Sequence, residues 1–237
     1  MRLGIERKEF PQCILFDFDR TLIFLYEEKT LLDDLCRIMK DYYKDFIDVN
    51  AIEDKDGYFV WHDAHRKIEE KYDIKEALKI NEKAEIIVSD FELDVVTTKE
   101  LFPGVIESIK KIYSMGISLG IVSSNSTSVI KHVLTVNEIV DYFDGVFGRT
   151  IPFNPNLVKP NPKPLIDAIN LLKHDTSTTW YVGDDIIDIK AANQAGVQAI
   201  GVSTGNYSKK ILLNEGAKMS FDGIVNLTKY LTDRWRA

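Results

Sequence analysis

The chain has 237 residues, 45% hydrophobic and 28% charged, with 37 acids against 30 bases for a net charge of -7. That length fits one large domain or one domain carrying an insertion, and it suffices to bury a sizeable core. The acidic balance argues against general affinity for nucleic acid backbones or anionic membranes, and the ordinary composition argues against disorder.

The first dozen residues, MRLGIERKEFPQ, are charged throughout and no long apolar region follows, so no secretory signal is expected. The longest apolar run, LIFLY, is far short of the roughly 18 residues a membrane helix needs. Two cysteines, Cys13 and Cys36, are too few for a disulfide framework and read as buried thiols in a reducing, cytoplasmic setting.

A strand is expected over 13–18, inside ILFDFDRTL, where three apolar residues run into Asp17 and Asp19. Apolar residues at three- and four-residue steps then predict a helix from Leu31 to Phe46, with Thr30 as its cap. Further helical patterns run through Phe59, Trp61, Ala64, Ile68 and Tyr72, and from Leu78 to about Val88. Residues 25–98 therefore read as an all-helical insertion. The remainder, 1–24 and 99–237, alternates helices such as ESIKKIYSMG with short apolar strands such as ISLGIVSS, TWYVGD and VQAIGVS. This is the pattern of an α/β doubly wound, Rossmann-like parallel sheet.

Ligands in such sheets bind at the carboxyl ends of strands. Three expected strands end in chemically capable residues: Asp17 and Asp19; Ser123, Ser124 and Asn125; Gly183, Asp184 and Asp185. Between the last two lies LVKPNPKP, where Lys159 opens a stretch with prolines at alternate positions. Each feature alone has a plain structural reading. Asp184 and Asp188 suit a helix start, the serines suit an N-cap, and Lys159 suits a solvated loop.

Together the four segments DFDRT, VSS, KPNP and GDDIID resemble the haloacid dehalogenase superfamily, in its helical-cap, phosphoglycolate phosphatase-like type. The resemblance implies a magnesium-dependent phosphatase for a small phosphorylated metabolite. Asp17 would be the nucleophile, forming an aspartyl-phosphate, and Asp19 the acid and base. Ser123, Ser124 and Lys159 would hold the phosphoryl group. Asp17, the Asp19 carbonyl and Asp184 would bind Mg2+, with Asp188 behind them. A phosphomutase, or a fold that has lost turnover, remains the alternative, and the oligomeric state is open. Thr21 is expected to fix Asp19. Arg20 stands where the family most often has glycine and is expected to face solvent. Tyr26, Trp61, His62, His65 and Arg66 are expected in packing or on solvated faces.

Overall fold

A computed structural model describes residues 10–26, 29–53 and 55–235; the charged N-terminal stretch up to Glu9 lies outside the described residues. Six strands form one sheet in the order β3-β2-β1-β4-β5-β6: β1 (Cys13–Phe16), β2 (Ser118–Ser126), β3 (Gly145–Arg149), β4 (Thr179–Gly183), β5 (Gln198–Val202) and β6 (Met219–Phe221). The β1–β2, β1–β4, β4–β5 and β5–β6 pairs are parallel. Helices connect them, as a parallel sheet requires: α4 (Val105–Tyr113), α5 (Thr127–Val136), α6 (Lys163–Leu171), α7 (Ile186–Ala195), α8 (Lys209–Asn214) and α9 (Ile224–Trp235). All four side chains of β1 are buried, and so are all five residues of β4. Strands covered on both faces show this unbroken apolar run in place of alternation.

Helices α1 (Lys29–Tyr43), α2 (Gly57–Lys71) and α3 (Ile74–Val96) build a separate unit. Asp56 and Asp73 start α2 and α3 by accepting backbone N–H groups of the first turn. Leu35, Met39, Tyr43, Trp61, Ile68 and Val88 form its core. Each such large side chain, fully buried, stabilises by about 1.5–3 kcal/mol relative to exposure.

By internal contacts the chain divides into residues 1–24, 100–148 and 157–237 as the sheet unit, and 25–99 with 149–156 as the helical unit. Residues 149–156, read from sequence as part of the sheet domain, thus cluster with the helices. The cause is side-chain chemistry: Arg149 pairs with Glu85 and Glu92, and Phe153 stacks on Trp61 with ring centroids 4.6 Å apart.

Two local expectations differ from the structure. Thr30 lies inside α1 and does not cap it. Cys13 is buried but Cys36 is only partly so. The three-residue β6 and the six-residue α8 are too short to carry a periodic signal, whereas α9 buries Ile224, Leu227, Thr228 and Leu231 at helical spacing. Among the described residues, no helix is long and apolar enough to cross a membrane.

Candidate active site

The register of the sheet brings the strand ends together. Phe16 of β1 pairs with Ile121 of β2 on one side and Val182 of β4 on the other. One residue on, the Asp17 N–H still donates to the Val182 carbonyl at 2.8 Å. Asp17 and Asp184 therefore follow β1 and β4, and Ser123 lies in the C-terminal half of the adjacent β2, at the same edge, where ligands of such sheets bind.

Asp17, Asp184 and Asp188 each place a carboxylate oxygen within 4.8 Å of the others. Asp188 is held by its own backbone. Asp185 caps α7 and accepts the Ile187 N–H at 3.0 Å, while Asp188 Oδ2 accepts the Asp185 N–H at 3.1 Å. This capping box gives the three neighbouring acids separate duties, with Asp185 assigned to the helix end. Gly183 makes the arrangement possible, because a Cβ there would fall 2.5 Å from Cβ and Cγ of Asp188. A second glycine, Gly205 in the loop after β5, lies equally close to Asp184: its Cβ would fall 2.7 Å from Asp184 Cγ. Thr21, expected to fix Asp19, instead donates to Asp184 Oδ1 at 3.3 Å.

Lys159 is buried among these acids, its Nζ 2.7 Å from Asp17 Oδ1, 2.7 Å from Asp188 Oδ1 and 2.9 Å from the Tyr181 hydroxyl. Asp17 Oδ1 accepts no well-directed hydrogen bond, so the Lys159 contact there is an ion pair made off the oxygen's preferred direction. Burial works against the Lys159 charge, yet Asp17 and Asp188 outweigh it and hold the group well above lysine's usual value. Burial, then Asp188 and Asp17, pushes Asp184 up to about 9. Burial likewise raises Asp188 to about 6, with Lys159 pulling the other way. One ammonium does not neutralise three buried carboxylates. An all-oxygen donor set carrying excess negative charge suits a hard divalent cation such as magnesium.

Ser123 and Ser124 occupy the end of β2, which runs on to Ser126 before α5 begins. The backbone N–H groups of Ser124 and Asn125 are thus strand groups and not helix N-terminal ones. Ser123 Oγ accepts the Asn125 N–H at 3.3 Å and donates to Asn125 Oδ1 at 3.2 Å. Ser123 and Asp19 are partly buried and Ser124 is exposed. Arg20 is not solvated as expected. It is partly buried, with its guanidinium 5.3 Å from the Phe24 ring centroid and its backbone at φ 55°. Its carbonyl accepts the Thr204 hydroxyl at 2.5 Å.

Sequence reasoning passed over Tyr181, Thr204 and Gly205. Tyr181 reads as one more strand aromatic in TWYVGD. The other two stand just past β5, where the strand-end rule that found Asp17 and Asp184 would have found them.

The family model described as haloacid dehalogenase-like hydrolase matches residues 14–202, which span Asp17, Ser123, Lys159, Tyr181, Asp184 and Asp188. The chain belongs to that family. This haloacid dehalogenase-like chain is 34% identical over 116 residues to a phosphoglycolate phosphatase of Salmonella paratyphi A, covering 48% of this chain and 45% of that protein. A phosphoglycolate phosphatase of Nitrosococcus oceani is 32% identical over 126 residues, covering 52% and 54%. The chain thus spans about half the length of these relatives. A haloacid dehalogenase-like family protein of Streptococcus pneumoniae shares the fold with a TM-score of 0.62 at 18% identity, covering 94% and 98% of the two chains. A hydrolase of Pseudomonas syringae does so with a TM-score of 0.63 at 17% identity, covering 93% and 98%.

The four segments DFDRT, VSS, KPNP and GDDIID all lie in the sheet unit. Of the residues expected in packing or on solvated faces, Tyr26, Trp61 and His65 are buried in the helical unit and Arg66 is exposed and paired with Asp63 at 2.7 Å. Burial and the neighbouring Arg149 push His62 down to about 4, so it is neutral at physiological pH.

Proposed function

We propose that the protein is a magnesium-dependent phosphatase that hydrolyses a small phosphomonoester through an aspartyl-phosphate on Asp17. The observation that carries this reading is the Asp17 carboxylate at a strand end, 2.7 Å from the Lys159 ammonium and beside two further buried acids. The names of the relatives, phosphoglycolate phosphatases, support the same chemistry.

In the first step an Asp17 oxygen forms a bond to phosphorus while the bond from phosphorus to the ester oxygen breaks, and Asp19 delivers its proton to the departing alkoxide. In the second, Asp19, now a carboxylate, takes a proton from water as the water oxygen bonds to phosphorus and the acyl-phosphate bond breaks. Free phosphate leaves and Asp17 is restored. Lys159 sits between Asp17 and Asp188, where it offsets the repulsion between an anionic nucleophile and an anionic ester. Ser123 Oγ, already directed at the neighbouring Asn125, can rotate its proton to a phosphoryl oxygen.

Asp17, Asp184 and the Asp19 carbonyl would hold magnesium, with Asp188 braced behind by the Asp185 N–H and Lys159. Bound there, the ion supplies positive charge against the phosphoryl oxygens. The substrate would be a small phosphorylated metabolite in the cytoplasm, with phosphoglycolate, sugar phosphates and nucleotides as the panel to assay.

The test is hydrolysis of p-nitrophenyl phosphate with magnesium and with a chelator. The wild-type protein should turn over only with the metal, and Asp17→Asn should lose about three orders of magnitude or more in kcat while keeping its circular dichroism spectrum. Equal turnover by Asp17→Asn would remove Asp17 as nucleophile. Release of free phosphate, as opposed to its return to another carbon of a hexose phosphate, separates hydrolysis from mutase action.

A further inference from the structure

We infer that Tyr181 is a positioning residue for the reaction, fixing the direction of the Lys159 ammonium by linking it to the backbone of β2. This rests on the phosphatase reading above and deepens it. Tyr181 lies in the middle of β4, 1% exposed, and packs with Val122, Leu165, Ile169 and Ile189. An aromatic at this place could serve packing alone, and phenylalanine would do that equally well. The hydroxyl is what needs explaining.

A phenol has one proton to donate and lone pairs to accept with. Two acceptors compete for the proton. The Val122 carbonyl is at 2.8 Å and Asp188 Oδ1 at 3.4 Å, so distance assigns it to Val122. With its proton committed to β2, the oxygen turns a lone pair to Lys159 Nζ at 2.9 Å. A buried ammonium has three N–H groups, and this one has three partners: Asp17, Asp188 and Tyr181. Two carboxylates alone define only two directions and leave the third proton in a water-poor site, where an unmet donor is costly. The phenol supplies the third direction, and the backbone of β2 fixes the phenol.

Removing the hydroxyl takes one donor from the Val122 carbonyl and leaves one Lys159 N–H without its partner. The ammonium then drifts toward whichever carboxylate holds it better. Its placement against Asp17 matters most when charge moves from Asp17 to the phosphoryl group, so the effect falls on kcat more than on KM.

The experiment uses Tyr181→Phe in the full chain, which keeps the ring and its packing. Supporting groups of this kind typically contribute about tenfold or more, so kcat for p-nitrophenyl phosphate should fall about tenfold with KM within about twofold. A nitrogen-15 spectrum of the lysine ammonium groups gives a readout independent of turnover. The Lys159 signal, assigned by its absence in Lys159→Gln, should shift or broaden in Tyr181→Phe as its exchange with water quickens. If kcat stays within twofold of wild type, or the Lys159 signal is unchanged, Tyr181 is a packing residue and the inference fails. A wild-type protein that does not hydrolyse the ester, or an Asp17→Asn variant that still does, points instead to failure of the phosphatase reading, and the ammonium signal then decides the Tyr181 contact alone.

Discussion

Lys159 in the sheet unit and Arg149 in the helical unit face the same charge problem, one buried cation against two or more carboxylates, and solve it differently. Arg149 forks onto both oxygens of Glu92 at 3.0 Å and reaches Glu85 with Nε at 2.5 Å. Side-chain exposures in this trio are 1% or less. Trp61 lies 4.8 Å from the guanidinium, and the Tyr58 hydroxyl closes the far side by donating to Glu92. A planar fork with matched partners on its edges has one geometry and no reason to leave it. Lys159 is a point charge whose three donors can turn, and its acids outnumber it. One of them, Asp17, keeps 11% of its side chain exposed. Closure and a fork with both of its acids fully buried make a strut. Surplus charge and a partly open acid make a place where another charged group can enter.

The contrast predicts its largest effect in the helical unit. Arg149→Ala leaves two carboxylates buried without their cation, a change that typically destabilises by about 3–5 kcal/mol. Urea unfolding followed by circular dichroism should show a loss of that size. A loss below about 1 kcal/mol would mean that water reaches the trio, and the comparison with Lys159 would collapse.

A subtler consequence concerns Glu85. Since Glu92 already takes the fork, Glu85 is the surplus acid, and its Oε2 is buried with no hydrogen-bond partner. Burial raises Glu85 from 4.5 to about 7, even though Arg149 pulls it down. The folded chain therefore keeps this proton to higher pH than the unfolded chain does. Stability from the group is fully present below about 4.5, falls as pH rises to about 7 and is level above, a swing of about 3 kcal/mol. Glu85→Gln has no such titration. The difference in unfolding free energy, wild type minus variant, should slope downward through that window. A flat difference would show that Glu85 is ionised throughout and that both acids of the strut carry charge.

The same contrast explains what could be read from the sequence. Asp17, Ser123 and Asp184 were visible because each follows a short apolar run, and Lys159 because it opens a proline-rich loop, so local patterns announce the positions and topology does the rest. Arg149 pairs with residues 57 and 64 positions away, and nothing local marks such partners. Tyr181 hides for another reason: its ring is ordinary for a strand, and only the hydroxyl's two bonds set it apart. Thr21 was placed on the wrong acid because sequence favours the near neighbour, Asp19, whereas the turn after β1 carries its hydroxyl across to Asp184. The alternation of elements was legible for β1, β2, β4 and β5, whose buried runs are four residues or longer. It was not for β6, three partly buried residues at the sheet edge.

Arg20 joins both themes, as a cation beside the site that belongs to neither buried cluster. Its backbone at φ 55° is left-handed, which costs a residue with a side chain roughly 1–2 kcal/mol and would cost glycine none of that strain. The guanidinium recovers about 0.5–1 kcal/mol over Phe24, and its buried Nε without a hydrogen-bond partner gives some of that back. Glycine in turn loses about 0.5–1 kcal/mol more chain entropy on folding, so Arg20→Gly should shift stability by less than about 1 kcal/mol by urea unfolding. The backbone turn, held by the Arg20 N–H to the Ile23 carbonyl and by Thr204 on the Arg20 carbonyl, needs no side chain. Turnover of p-nitrophenyl phosphate should accordingly stay within about threefold of wild type, less than 1 kcal/mol of barrier. A tenfold or larger fall in kcat/KM would place the guanidinium in contact with the reacting ester, and this third cation would then have to be counted with Lys159.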